Sequence, residues 1–137
     1  MLRRQFELAQ EDVECLAAME LEWETIYEVL PTQKKVTWVI FPEYKIPEGY
    51  NVRVAKAAIR LNPAYPDADI DMVYFAPALA LTSGKAIKNL TPYQLDNTQY
   101  QQWSRHRTTQ NPWRPGVDSI CSHMIQVNDW LQRELKR

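Results

Sequence analysis

The chain has little of what marks several common protein classes. Of 137 residues, only two are cysteine and two histidine. Cys15 and Cys121 make no disulfide framework, and so few thiols and imidazoles argue against a dedicated zinc site. Reduced thiols and a cytoplasmic location are therefore expected. No apolar stretch approaches the length of a membrane span. Met1-Leu2-Arg3-Arg4 leads into Gln, Glu and Asp, so no signal peptide is expected either. The 16 Lys and Arg against 17 Asp and Glu leave a formal net charge of −1. That balance predicts no nucleic-acid and no membrane-surface partner. Repeats, low-complexity tracts and linkers are also missing, so residues 1–137 read as a single domain. The length suffices to bury a core without staples.

What is present is ordinary in bulk: 45% hydrophobic and 24% charged residues, as in a soluble globular protein. The 5 tryptophans and 7 tyrosines are many for this length. Such a surplus often reaches a binding surface.

Glu11 to Met19 reads as a short helix, with Val13, Leu16 and Ala17 at helical spacing and acids in the first turn. Trp23, Thr25, Tyr27 and Val29 then alternate with Glu22, Glu24 and Glu28, which predicts a half-buried strand. Val36 to Phe41 is apolar enough for a central strand. Pro42 to Tyr50, with two prolines and a glycine, reads as a loop. Ala55, Ala57, Ile59 and Leu61 line one face of a third strand. Asn62 to Asp67 forms a proline-fixed turn, and Ile70 to Phe75 a fourth strand. A helix followed by four linked strands predicts an α+β fold with an antiparallel meander. After Pro77 regularity is lost for about forty residues, the signature of a functional loop region. Val117, Ile120, Cys121, Met124, Val127, Leu131 and Leu135 then mark a C-terminal helix laid on the sheet by one apolar face.

The irregular region holds the most informative segment, Trp103 to Trp113. It carries a serine, one of the histidines, and three consecutive basic or imidazole side chains between two tryptophans. The order of elements, the Tyr65-Pro66 turn before the last strand, and Trp113-Arg114-Pro115 ahead of the helix resemble the ubiquitin-conjugating fold. Within that superfamily the chain is most similar to the prokaryotic group called family E. The likeness rests on Pro47-Glu48-Gly49-Tyr50-Asn51, Tyr65-Pro66-Asp67-Ala68, Asp71-Met72, Gln102-Trp103-Ser104-Arg105-His106-Arg107 and Trp113-Arg114-Pro115-Gly116-Val117-Asp118. It spans Phe6 to Leu135.

The resemblance implies a carrier step. An adenylating enzyme activates the C-terminus of a ubiquitin-like protein, and the carrier accepts it covalently and passes it to a target protein. The carrier itself needs no cofactor, since ATP is used by the activating enzyme. The operons that such genes resemble imply a bacterial role in defence against phage.

The sequence departs from the superfamily at its nucleophile. The superfamily spacing before Trp113 falls on Arg105, with no cysteine near. The usual His-Pro-Asn element is missing, and Phe75-Ala76-Pro77-Ala78 occupies its region. Ser104 is the nearest substitute. A serine hydroxyl needs an adjacent base, and His106 is the local group suited to that task. Ser104 is thus expected to form an oxyester while His106 takes its proton, with Arg105, Arg107 or backbone N–H groups on the oxyanion. Residues two apart point the same way in a strand but lie about 7 Å apart, so direct contact needs a turn at Arg105 or an intervening water.

Structural roles stand beside these. Ser104 can cap a helix or close a turn, and His106 can be a hydrogen-bonded structural residue. Arg105, Arg107 and Arg114 can form a solvated basic face. Trp103 and Trp113 read as packing anchors, and Cys121 as part of the helix's apolar face. Ser83 is a rival hydroxyl without a histidine nearby in sequence. The competing functions are a catalytically inactive module that binds the ubiquitin-like protein or its activating enzyme non-covalently and, against the net charge, a small RNA- or phosphate-binding domain.

Overall fold

The computed structural model describes residues 1–137. Helix α1 (Gln10–Ala18) carries Glu11 and Asp12 at its positive end and buries Leu16. Strands β1 (Glu24–Val29), β2 (Lys35–Lys45), β3 (Val54–Leu61) and β4 (Val73–Ala76) pair in succession as an antiparallel meander. The sheet does not end there. β5 (Leu90–Leu95) and β6 (Thr98–Trp103) form a hairpin, and β6 pairs with β4, giving six strands in the order β1-β2-β3-β4-β6-β5. Helix α2 (Ile120–Leu135) closes the chain.

The four-stranded expectation is therefore corrected to six, and part of the irregular segment is regular. Asp96 and Asn97 both hold positive φ, 55° and 56°, between the paired Leu95 and Thr98. That is the backbone of a two-residue type I′ hairpin. Its strands, LTPYQL and TQYQQW, bury only Leu95, Tyr100 and Trp103. With so few inward positions, no hydrophobic alternation announces them.

Other boundaries move for local reasons. β2 runs through Pro42 to Lys45 because its register with β3 shifts between Phe41 and Tyr44, a bulge where the missing proline N–H is tolerated. β4 starts at Val73 rather than Ile70 because Met72 is left-handed, with φ 63°. α2 starts at Ile120 rather than Val117: Gly116 has φ 82°, and Ser122 Oγ accepts the Ser119 N–H at 2.9 Å. In β1, Tyr27 and Val29 are exposed, and Ile26 on the opposite face is buried instead.

Both helices lie on one sheet face. Leu16, Ile120, Met124, Val127 and Leu131 pack there with Val39, Phe41, Ile59, Val73, Phe75 and Trp103. The other face carries no helix, yet Trp38, Ile40, Tyr74 and Tyr100 are buried on it. The sheet covers them by curling until its edges meet. Tyr93 of β5 donates to Glu28 of β1 at 2.8 Å, and Arg3 spans Glu24 and Asp96.

The Pro47–Asn51 motif acquires a physical reason. Gly49 holds φ +112°, a backbone that L side chains rarely adopt, and a Cβ there would also lie 2.4 Å from Leu135 Cδ2 and push that side chain aside. Tyr50 donates its hydroxyl to the Leu131 carbonyl at 2.7 Å. Asn51 bonds both the Ala78 carbonyl and the Ala80 N–H, which fixes the start of the segment after β4.

The expectation of two reduced thiols is overturned. Cys15 of α1 and Cys121 of α2 form a disulfide with a Cα–Cα distance of 6.4 Å. Cys121 does lie in the core as read, but as half of a bridge between the helices. A separation of 106 residues hides such a pair from spacing arguments. No helix is long and apolar enough to cross a membrane.

Candidate functional site

Trp103 ends β6 fully buried, edge-on to Phe75 at 5.4 Å. The chain then leaves the sheet without forming a helix. The Ser104 N–H still bonds the Asn89 carbonyl at 3.0 Å, and the Arg105 carbonyl accepts the Met72 N–H at 3.1 Å. These bonds hold the segment in place while its side chains diverge.

Ser104 is half-buried, and its Oγ accepts a hydrogen bond from Gln102 Nε2 at 3.3 Å. Arg105 turns away onto the Trp103 ring, 4.9 Å from its centroid. Its Nη1 donates to the Lys88 and Ser104 carbonyls, and Nη2 lies 3.6 Å from Glu134. Burial lowers its pKa, with Glu134 opposing. His106 is 62% exposed, with Nδ1 at 3.4 Å from Asp71 Oδ2. Arg107 covers Trp113 at 5.1 Å, and its Nε and Nη2 are buried without a partner. All four residues thus share one segment, but no hydrogen bond joins Ser104 to His106. Each histidine or serine bonds a neighbour of its own.

Two residues that sequence reasoning left unassigned complete the surroundings. Asp71 stands just before β4, and its Oδ1 is buried without a partner. His123, which closes the first turn of α2, is fully buried and packs edge-on to Trp130 at 5.5 Å. His123 Nε2 lies 2.8 Å from the Met72 carbonyl, so it carries the proton and donates. Nδ1 is then a bare acceptor, and it has no partner. Burial pulls the His123 pKa down to about 4, further than the Met72 bond and Asp71 can offset, and Arg107 adds to the fall. The imidazole is neutral near pH 7. Asp71 was visible only as part of the Asp71-Met72 motif, and His123 only as a helix position.

The far end of the segment is tied down differently. Trp113 Nε1 donates to the Pro66 carbonyl at 2.9 Å, and its ring sits 6.3 Å from that of Tyr65. Tyr65 donates its hydroxyl to the Asp12 carboxylate at 2.9 Å and accepts the Ile120 N–H at 2.9 Å. Asp118 accepts the Arg114 N–H at 2.7 Å and the Ser122 hydroxyl at 3.0 Å. Burial alone would raise the Asp118 pKa, but these donors and the nearby arginines hold it low. Trp113 is a packing anchor, as its position implies.

A groove of about 610 Å³ opens at one mouth of the curled sheet. Tyr74 and Tyr93 line it, Lys34, Lys35 and Arg60 supply positive charge, and Asp71 and Gln102 belong to its wall. The groove therefore borders the partners of both His106 and Ser104. Ser83 lies elsewhere, exposed in a turn where its Oγ accepts the Lys85 N–H. No three His, Cys, Asp or Glu side chains converge as metal ligands.

No curated protein and no solved structure matches this chain. One family model does, described as Prokaryotic E2 family E, and it matches residues 8–134. Two helices on a curled antiparallel sheet are consistent with an E2-like fold, with the β5–β6 hairpin as an addition to the meander. The chain belongs to prokaryotic E2 family E.

Proposed function

We propose that this protein accepts the C-terminus of a ubiquitin-like protein from an adenylating enzyme, as an oxyester on Ser104, and passes it to a target protein. The observation that carries this reading is the state of the thiols. Cys15 and Cys121 are bonded to each other, and the chain has no free cysteine. If the chain conjugates, its acceptor is then another atom, and Ser104 is the hydroxyl within the Trp-Ser-Arg-His-Arg block; the same missing thiol also favours a module that only binds.

In the transfer, Ser104 Oγ attacks the carbonyl carbon of the activated C-terminus. A new O–C bond forms as the bond to the activating enzyme's leaving group breaks. The serine proton passes to His106, directly or through a water, and returns to the leaving group. Arg107 Nε and Nη2 are buried and unpaired beneath its stack on Trp113, so they could serve a developing oxyanion once that stack opens. Arg105 is already engaged by Glu134 and two carbonyls and serves to hold the segment.

The test combines the protein with its activating enzyme, its ubiquitin-like partner and ATP. A covalent adduct is expected that survives thiol reductant and is cleaved by hydroxylamine or alkali. Ser104→Ala abolishes it and Cys121→Ala leaves it. An adduct lost with reductant would transfer the role to a cysteine. A second reading has its own support, because Ser104 Oγ bonds Gln102 rather than His106. In that reading the protein binds the ubiquitin-like protein or its activating enzyme non-covalently, and tight binding without any adduct is its signature.

A further inference from the structure

The corner formed by Asp71 and Met72 is held in a costly way. Met72 is not glycine, yet it sits at φ 63°. Left-handed backbone at such a residue costs roughly 1 kcal/mol or more and persists only where its surroundings impose it. Here the constraint comes from both sides. The Met72 N–H donates to the Arg105 carbonyl at 3.1 Å, and the Met72 carbonyl accepts from His123 Nε2 at 2.8 Å. One bond fixes the corner to the segment that carries Ser104 and His106, and the other fixes it to α2. Asp71 projects from this clamp with Oδ2 at 3.4 Å from His106 Nδ1. Its other oxygen is buried.

From this geometry we infer that Asp71 is the positioning residue for His106. It holds the proton of the neutral imidazole on Nδ1 and leaves Nε2 bare as the acceptor. The inference rests on the oxyester reading for its role in transfer, but not for the geometry itself. A carboxylate accepts hydrogen bonds and cannot donate, so a neutral imidazole facing it through Nδ1 must carry its proton there. The same division of labour lets an acid orient a histidine base in hydrolytic triads. Arg107 on the same segment and His123 from α2, which burial keeps neutral, also face this corner, and Lys34, Lys35, Arg60 and Asp69 line the groove that Asp71 borders. His123 has the opposite assignment, with its proton on Nε2 for Met72 and a bare Nδ1.

The chain has 2 histidines, and the structure assigns them opposite tautomers, which makes the test direct. Long-range proton–nitrogen NMR on protein labelled with ¹⁵N in its imidazoles is recorded at a pH above the histidine range. One ring should report Nδ1–H and the other Nε2–H, with His106→Gln removing the first. Asp71→Ala should move His106 to a mixture rich in Nε2–H. Asp71→Asn, whose amide oxygen can still accept, should retain more of the original form. An unmoved His123 signal shows that the clamp and fold survive. In the transfer assay Asp71→Ala should slow adduct formation by about 10–100-fold, within what a well-placed base supplies. A wild-type His106 already in the Nε2–H form, or one indifferent to Asp71→Ala, overturns the inference even where Ser104 is acylated. If wild-type protein forms no adduct, the oxyester reading falls while the tautomer result still decides the role of Asp71.

Discussion

The segment between β6 and α2 is held at its two ends by polar clusters of opposite character. At the α2 end, Tyr65 bonds Asp12 and the Ile120 N–H, Trp113 bonds Pro66, and Asp118 takes donors from Arg114 and Ser122. At the β6 end, Asp71 Oδ1, Arg107 Nε and Nη2, and His123 Nδ1 are buried without partners. An unpaired buried polar atom costs about 1–3 kcal/mol, so the first cluster stabilises the fold and the second draws on that stability. In native proteins such atoms mark stored strain, a redox or catalytic role, or a bound water or ion. The contrast sets satisfied polar contacts around Tyr65 against unpaired buried atoms around Asp71, where the proposed transfer would take place, on either side of a short stretch of chain.

The largest way to disturb the first cluster is to cut the disulfide that runs beside it. Closing a loop across 106 residues restricts the unfolded chain, and losing such a bridge costs about 2–5 kcal/mol. Denaturant melts of the Cys15→Ala, Cys121→Ala double variant should show that loss. The His106 tautomer should not change, because neither cysteine touches the Asp71 corner. A loss below about 1 kcal/mol would mean that the helices are held by packing alone.

Tyr65→Phe attacks the same cluster through a single atom. It leaves the Asp12 carboxylate, 5% exposed, and the Ile120 N–H both without their partner. Two such orphans should cost about 3 kcal/mol in a denaturant melt. A near-neutral result would remove Tyr65 from the contrast.

The second cluster answers to pH. His123 titrates near 4 when folded against 6.5 when free, so between those values the unfolded chain binds the extra proton. Its contribution is complete above pH 6.5, and falling pH erodes it until the folded group titrates near 4. A depression of this size amounts to about 3 kcal/mol. Glu24 and Asp96, held low chiefly by Arg3, add a further loss as pH falls through the carboxylate range. His123→Gln should flatten the upper part of the stability profile and leave the lower part, which chemical melts across that pH range can resolve.

How far the sequence disclosed this arrangement follows from the physical range of each signal. The apolar spacing from Ile120 to Leu131 announced α2 because one helix face must be buried along its length. The alternation in β3 did the same for a strand. The β5–β6 hairpin stayed hidden because its strands bury so little, although Asp96-Asn97 was a turn signal of the right kind. The Trp-Ser-Arg-His-Arg block was legible as a motif, and its residues do share one segment. Their partners were not legible. Asp71 lies 35 residues before His106, and His123 reaches back 51 residues to Met72. Only the folded sheet brings those positions together.

Arg107 offers the smallest effect on stability and the sharpest test of the contrast. Its Nε and Nη2 make no hydrogen bond in the fold, while its guanidinium lies over Trp113. Arg107→Met removes the two unpaired donors and keeps an unbranched side chain against the ring. The gain from shedding buried donors offsets the lost cation–π contact, so stability should change by less than about 1 kcal/mol in either direction. Were Arg107 part of a stabilising cluster like that of Tyr65, the same change would cost several times more. Oxyester formation should move independently of stability. If Arg107 supplies donors to the oxyanion, the variant should remain folded but form the Ser104 adduct about 100-fold more slowly. A variant as stable and as active as the parent would remove Arg107 from the reaction and leave the backbone N–H groups after Ser104 as the remaining donors.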